Sequence, residues 1–327
     1  MKIIVLIALL GAGSSLFAQY SPAAGEDGST AIHKDSSVFI GWAADVVEFS
    51  PGPQDISIPG SPNVYFGDAT EALNKAEGTS TDVVSLGDGG SITIRFHLPI
   101  MNGEGPDFAV FENGFDESFL ELAHVEVSSD GENFVRFPSV SLTTTDEQTG
   151  TFGTTNTELI HNLAGKFIQG YGTPFDLEDL VDSTGIDIDM INYVRIVDVV
   201  GSIDPTYGSY DSEGNLINDP FPTEFSSGGF DIDAVGLIHA NGDYTTGLDK
   251  LESTVNVYPN PSQQFIKISS TDEVKNIELF DLNGRQILST KETEIDLSSL
   301  SITSGIYILK IQTAKGMVSE KITFNKL

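Results

Sequence analysis

The sequence predicts an all-β protein: a jelly-roll β-sandwich body followed by a small Ig-like β-sandwich. Three observations carry the prediction. Apolar residues recur in short period-two runs, and Gly, Asp, Asn and Pro punctuate those runs at close intervals. Helical patterning is confined to two brief pieces, Ala69–Ala76 and Leu177–Val181.

Taken in chain order, the first element is a leader. Lys2 precedes an apolar run from Ile3 to Ala12, and Ser14–Ala18 then leads to Gln19. A charged start, a short apolar stretch and a small residue at the cut describe a secretory signal peptide over 1–18. The run is too short for a stable bilayer span, and no other stretch approaches the ~20 residues a spanning helix needs.

The body, 19–239, is large enough for one substantial core. Its clearest strands are Ser91–Phe96, Phe108–Phe111, Leu122–Val127, Phe134–Phe137, Tyr193–Val197 and Phe230–Leu237. A linker follows over 240–254. The tail, 255–327, opens on Tyr258-Pro259-Asn260-Pro261, where two prolines fix φ and remove amide donors, so the chain enters extended. Alternating runs then follow at Phe265–Ile268, Ile277–Phe280 and Ile306–Ile311, with turns at Asn283-Gly284 and Lys315-Gly316.

Charge divides the chain sharply. The net charge is −32, yet Lys250 onward holds nine basic and nine acidic residues. The whole deficit therefore lies in residues 1–249, which hold 7 of the 16 basic and 39 of the 48 acidic residues. Such a surface repels nucleic acid and anionic lipid, whose capture needs Lys and Arg against phosphates. It also suits solvation, or the holding of divalent cations. Cysteine is absent, which excludes disulfides and thiolate metal sites.

The tail motifs, in order and at the C-terminal end, closely resemble the C-terminal sorting domain of the type IX secretion system of Bacteroidetes. Tyr258, Pro259, Asn260, Pro261, Gly284, Arg285, Gly305 and Tyr307 carry the resemblance. It implies engagement with that secretion machinery. It also implies a protein secreted or held at the outer-membrane surface, after loss of the signal peptide and of the sorting domain. In the body, Val125–Phe134 with its Ser-Asp130-Gly131 turn, together with Tyr193–Ile196, is similar to hairpins of discoidin and galactose-binding-like jelly rolls. The strings Val84–Thr93, Gly105–Gly114 and Ser227–Val235 resemble a group of bacterial cell-surface proteins with no settled activity.

Two constellations are candidates for chemistry. Asp231 and Asp233 lie two apart on one strand and predict a shared face, with side chains about 7 Å apart. Asp107 and Glu112 bracket another strand, with Asn113 in its exit loop. These five residues suit a structural Ca²⁺, which takes six to eight oxygen ligands from such groups. The alternative, which the sequence favours, is edge carboxylates paired with Arg95, Arg136, Arg195 or solvent.

The second constellation is the polar loop Asp204–Asp219. There Tyr207 and Tyr210 offer sugar-stacking faces, and Asp211, Asn215 and Asp219 offer hydrogen bonds, unless the loop packs only on itself. Trp42, the lone tryptophan, sits among apolar residues and is expected in the core.

Enzymatic signatures are sparse: no Gly-x-Ser-x-Gly elbow, no His-Glu-x-x-His, and five scattered histidines. The expected function is binding of a glycan or other extracellular ligand. Alternatives are a carboxylate-dependent hydrolase of extracellular polymers, a surface accessory to an outer-membrane receptor for a cofactor or siderophore, and a purely adhesive protein.

Overall fold

The computed structural model describes residues 20–242, 255–270, 274–281, 285–313 and 317–326. The signal peptide, most of the linker, Gly284 and the Lys315-Gly316 turn lie outside the described residues. The chain divides into two compact units, Met1–Tyr244 and Thr245–Leu327.

The body is an antiparallel two-sheet sandwich. Its strands are β1 (Ile32–His33), β2 (Gly41–Trp42), β3 (Asp45–Ser50), β4 (Val84–Ser85), β5 (Ser91–Ile100), β6 (Phe108–Glu112) and β7 (Ala123–Ser128). They continue as β8 (Val135–Arg136), β9 (Val140–Ser141), β10 (Ile160–His161), β11 (Tyr171–Phe175), β12 (Ile191–Asp198) and β13 (Asp231–Leu237). One sheet runs β3-β5-β12-β7-β8; the other runs β1-β11-β6-β13-β2, with β4 also on β13; β9 and β10 pair only with each other.

Alternation sets the register. Val194 lies opposite both Ile94 and Val127, and Ile196 opposite Ile92 and Val125, so these six point together into the core. Phe108, Val110, Ile232, Val235 and Leu237 face them from the second sheet. That sheet is covered on its outer face too. Ala109, Phe111 and Ala234 pack there under Phe39 and a half-buried Trp42, whose ring lies 5.4 Å from that of Phe111. Trp42 is thus a packing residue, and Gly236 makes room for it: a Cβ there would meet the Phe39 ring at 2.6 Å. Burial on both faces explains why β6 and β13 read as near-continuous apolar runs.

A register shift lies between Ile232, opposite Glu112, and Ala234, opposite Phe111, which leaves Asp233 without a partner on β6. The alternation that would have kept Asp231 and Asp233 equivalent is broken there. The two expected helical pieces are single 3₁₀ turns, Ala69–Ala72 and Leu177–Leu180, capped by Asp68 and Asp176. Four residues cannot offset the cost of nucleating an α-helix.

The tail unit is a small antiparallel sandwich. Its sheets are β14 (Asn256–Tyr258), β15 (Phe265–Ser269) and β18 (Glu294–Asp296), against β16 (Val274–Phe280), β17 (Gln286–Thr290), β19 (Gly305–Thr313) and β20 (Met317–Phe324). Ile266, Ile277, Leu279, Leu309, Ile311 and Phe324 fill its core. Pro259 and Pro261 cannot donate to a ladder, and Asn260 does the pairing instead. Its side-chain amide donates to the Lys321 carbonyl at 2.7 Å and accepts from the Thr323 amide at 2.9 Å. The Tyr307 hydroxyl donates to the Thr303 carbonyl at 2.7 Å, and Arg285 is held by Asp281 through backbone and side chain.

Candidate functional site

The chemistry-bearing residues gather where loops cross one end of the body sandwich. β6 delivers Glu112 and Asn113, β13 delivers Asp231, and the chain returning to β7 delivers Glu121. The end of β12 delivers Asp198, and the loop beyond it Asp219. A satellite core of Leu120, Leu122, Ile160, Leu163, Val199 and Ile217 packs among these loops.

Asp198 is fully engaged, accepting from the Phe230 amide at 2.7 Å and the Gly89 amide at 2.9 Å. Asp231 accepts from the Ser85 hydroxyl and, at 3.0 Å, from the Asn113 side-chain amide. Glu112 and Asp219 are only half satisfied. Glu112 Oε2 accepts from the Gly114 amide at 2.7 Å and Asp219 Oδ2 from the Leu122 amide at 2.9 Å. The second oxygen of each, Glu112 Oε1 and Asp219 Oδ1, is buried without a partner, although the residues are only 2% and 3% exposed. Unpaired buried carboxylate oxygens are costly and rare.

Electrostatics follow from that burial. Desolvation, reinforced by Asp231, holds the Glu112 carboxyl well above the ordinary carboxylate range. Burial does the same for Asp219, and for Asp198 with help from Asp88. Glu121 is raised by desolvation and then by Asp231, Glu112, Asp219 and Asp198 together. Burial pushes Asp231 up to about 6, against the hydrogen bonds from Ser85 and Asn113.

Positive charge is missing from this group. Of the six basic residues between 20 and 242, Arg95 pairs with Asp45, and Arg136 and Arg195 both pair with Glu126. Lys75 pairs with Asp35, Lys34 lies by Asp35 and Asp233, and Lys166 donates to the Ile160 carbonyl at 2.6 Å. The arginines expected to neutralise these strand-edge acids are therefore occupied elsewhere, because cross-strand register sets Arg95 opposite Asp45 and Arg195 opposite Glu126.

Of the five residues expected around a cation, Glu112, Asn113 and Asp231 come together. Asp107 is a buried cap at another place, accepting from the Leu177 and Gly103 amides and paired with His239. Asp233 accepts from the Glu77 and Gly78 amides. Glu121 and Asp198 were missed as members, although each is an acid inside an apolar run, which is the sequence mark of a buried carboxylate. Among the described residues, no three Asp, Glu or His side chains form a closed metal-ligand set.

The loop 204–219 is braced from within. Asp211 accepts from the amides of Glu213, Asn215 and Ser141 and from the Asn215 side chain. Tyr210 and Asn215 are exposed, Tyr207 is half-buried, and Asp219 points inward.

Beside the acids lies a row of rings that sequence reading did not find. Phe115 stacks on Phe119 at 5.0 Å, Phe119 meets Phe152 at 6.4 Å, and Phe152 meets Phe225 at 5.9 Å. Phe115, Phe152 and Phe225 are 62%, 72% and 46% exposed. Backbone bonds from Thr155 to the Ser118 carbonyl and from Phe221 to the Thr149 carbonyl tie the three loops together. Phe115 also borders a groove of about 750 Å³ lined by Asp116, Glu117, Ser118, Thr155 and Asn156 among others.

No curated protein matches the chain. Among solved structures it is similar to a β-D-glucuronidase of Dictyoglomus thermophilum, at 12% identity over 90% of this chain and 45% of that one, with a TM-score of 0.21. The chain thus spans less than half that enzyme's length, and so slight a likeness carries no argument. No described helix is long and apolar enough to cross a membrane. Residues 256–325 match the family described as a secretion system C-terminal sorting domain. The tail sandwich is therefore a type IX sorting domain, and the protein is a passenger exported by that system for secretion or surface display.

Proposed function

We propose that the acidic sandwich is a binding module for an extracellular polymer, with glycan as the leading class. The observation that supports this most directly is the row of exposed rings Phe115, Phe152 and Phe225, linked through the buried Phe119, with Phe115 at the edge of a polar groove. Exposed aromatic faces on soluble proteins mark contact surfaces. Sugars suit such a surface because they present apolar C–H faces to rings and hydroxyls to carboxylates, amides and hydroxyls. Asp116, Glu117, Ser118 and Asn156 supply those polar partners at the groove wall. Export to the cell exterior is consistent with such a ligand. The hydrolytic alternative through Asp211 has less support, since that carboxylate is consumed in bracing its own loop.

The test is a pull-down of the full chain on a panel of insoluble and soluble glycans. Phe152→Ala and Phe115→Ala should each weaken retention about tenfold, as loss of one stacking contact worth roughly 1.4 kcal/mol would do. Retention unchanged by both substitutions would remove the aromatic row from the function. Release of sugar products would replace binding with catalysis.

A further inference from the structure

We propose that the aromatic row holds an extended, uncharged polysaccharide lengthwise, with Tyr65 as a further contact, and that its acidic surroundings turn polyanionic glycans away. This rests on the polymer-binding reading and narrows it to one class of ligand.

The row is long. Phe115, Phe152 and Phe225 stand on three loops, and their chain of contacts through Phe119 advances in steps of 5.0, 6.4 and 5.9 Å. Each step is comparable to one sugar residue of an extended chain. Successive ring planes differ by 23°, 32° and 35°, so the rings tilt gradually rather than meeting edge-on.

The surface does not end at Phe225. The carbonyl of the next residue, Ser226, accepts from the amides of Tyr65 at 3.0 Å and Phe66 at 3.1 Å. A fourth loop, between β3 and β4, is thereby pinned beside Phe225, and it carries Tyr65 with 78% of its surface in solvent. A ring so open contributes little to the core and suits a contact surface. A polymer already held at one ring meets the next at high effective concentration, an advantage that a mono- or disaccharide cannot use.

Charge narrows the ligand further. The groove that Phe115 borders is walled by Glu26, Asp116, Glu117 and Glu158, and among the described residues no Lys or Arg lines it. Hydrogen bonds from the Ser118 hydroxyl and amide hold the Asp116 carboxyl below the ordinary carboxylate range, so it is ionised at neutral pH. Lys166 lies within electrostatic reach of Glu158, but it is buried and donates to the Ile160 carbonyl. Uronic acid and sulfated chains therefore meet uncompensated negative charge, whereas sugars bearing only hydroxyls meet hydrogen-bond acceptors.

Affinity electrophoresis of the full chain tests this, in gels carrying neutral β-glucan, β-mannan or galactan and in gels carrying alginate or polygalacturonate. Salt should be kept near about 10 mM, where exposed charges are little screened. At least one neutral polymer should retard the protein, and neither acidic polymer should. A hexasaccharide of the retarding polymer should compete about a hundredfold better than its disaccharide, since it reaches several rings. Tyr65→Ala should weaken retention about fivefold and Tyr65→Phe should restore it, as expected of a stacking ring. An unchanged Tm for Tyr65→Ala separates this loss from misfolding. Retention by an acidic polymer that Phe152→Ala abolishes keeps the binding surface but overturns its charge selection. Wild-type retention in Tyr65→Ala, or a disaccharide that competes as well as the hexasaccharide, overturns the lengthwise contact. Failure of every polymer to retard the wild type overturns this proposal and the binding reading together.

Discussion

His124 is buried in β7 with neither ring nitrogen hydrogen-bonded. Burial, aided by the charge of Arg136 and opposed by Asp211, brings its pKa down to about 3. The unfolded chain takes up a proton near 6.5, which the fold refuses until about 3. Stability therefore falls as pH drops through that window, by about 1.4 kcal/mol per pH unit for this group. Asp88 works in the opposite sense. Burial raises it to about 6, so the fold gains stability as pH falls from about 6 to its ordinary value of 3.8, and loses that gain as pH rises again. The two contributions overlap, so the histidine must be isolated by difference. Relative to wild type, His124→Leu should gain stability progressively below pH 6.5 in urea melts. A difference that stays constant from pH 7 to pH 4.5 would contradict this account of the side chain.

At the scale of elements, the outer face of the β7-β8-β12 sheet is organised by one carboxylate. Glu126, buried, accepts from Arg136 at 2.9 Å and from Arg195 at 2.6 Å, and Arg195 lies 3.8 Å over the Phe134 ring. Both arginines are partly solvated, so the network is worth less than a fully buried one. Glu126→Gln should cost about 1–2 kcal/mol in urea denaturation, and the loss should shrink in the Arg136→Ala, Arg195→Ala background. Strands such as β5, β12 and β19 were legible because period-two apolar runs survive any context. The two-residue strands β1, β2, β4, β9 and β10 were not, since pairing with distant segments defines them. The site divides the same way. Glu112, Asn113 and Asp231 sit on legible strands and were found. Phe115, Phe152 and Phe225 come from three loops far apart in sequence, and no local pattern announces that they meet. Asp211 and Asp233 illustrate a different limit: acids drawn as ligands can be spent on backbone amides, and sequence does not show which amides lack other partners.

For the whole molecule, the even charge of the tail and the deficit of the body follow the division into two units, each with its own core. Deleting residues 255–327 should leave a folded body that does not reach the cell exterior and accumulates in the periplasm. Fractionation and immunoblotting of the native bacterium check this; an unchanged amount of truncated protein outside the cell would contradict it. The body's topology has a temporal side. β13, the last strand of the body, inserts between β6 and β2 and also pairs with β4. A chain emerging N-terminus first must therefore wait for its final forty residues or so of body sequence before that sheet is complete. Until then it carries open ladders, the condition that keeps a polypeptide threadable and equally the one that invites clumping.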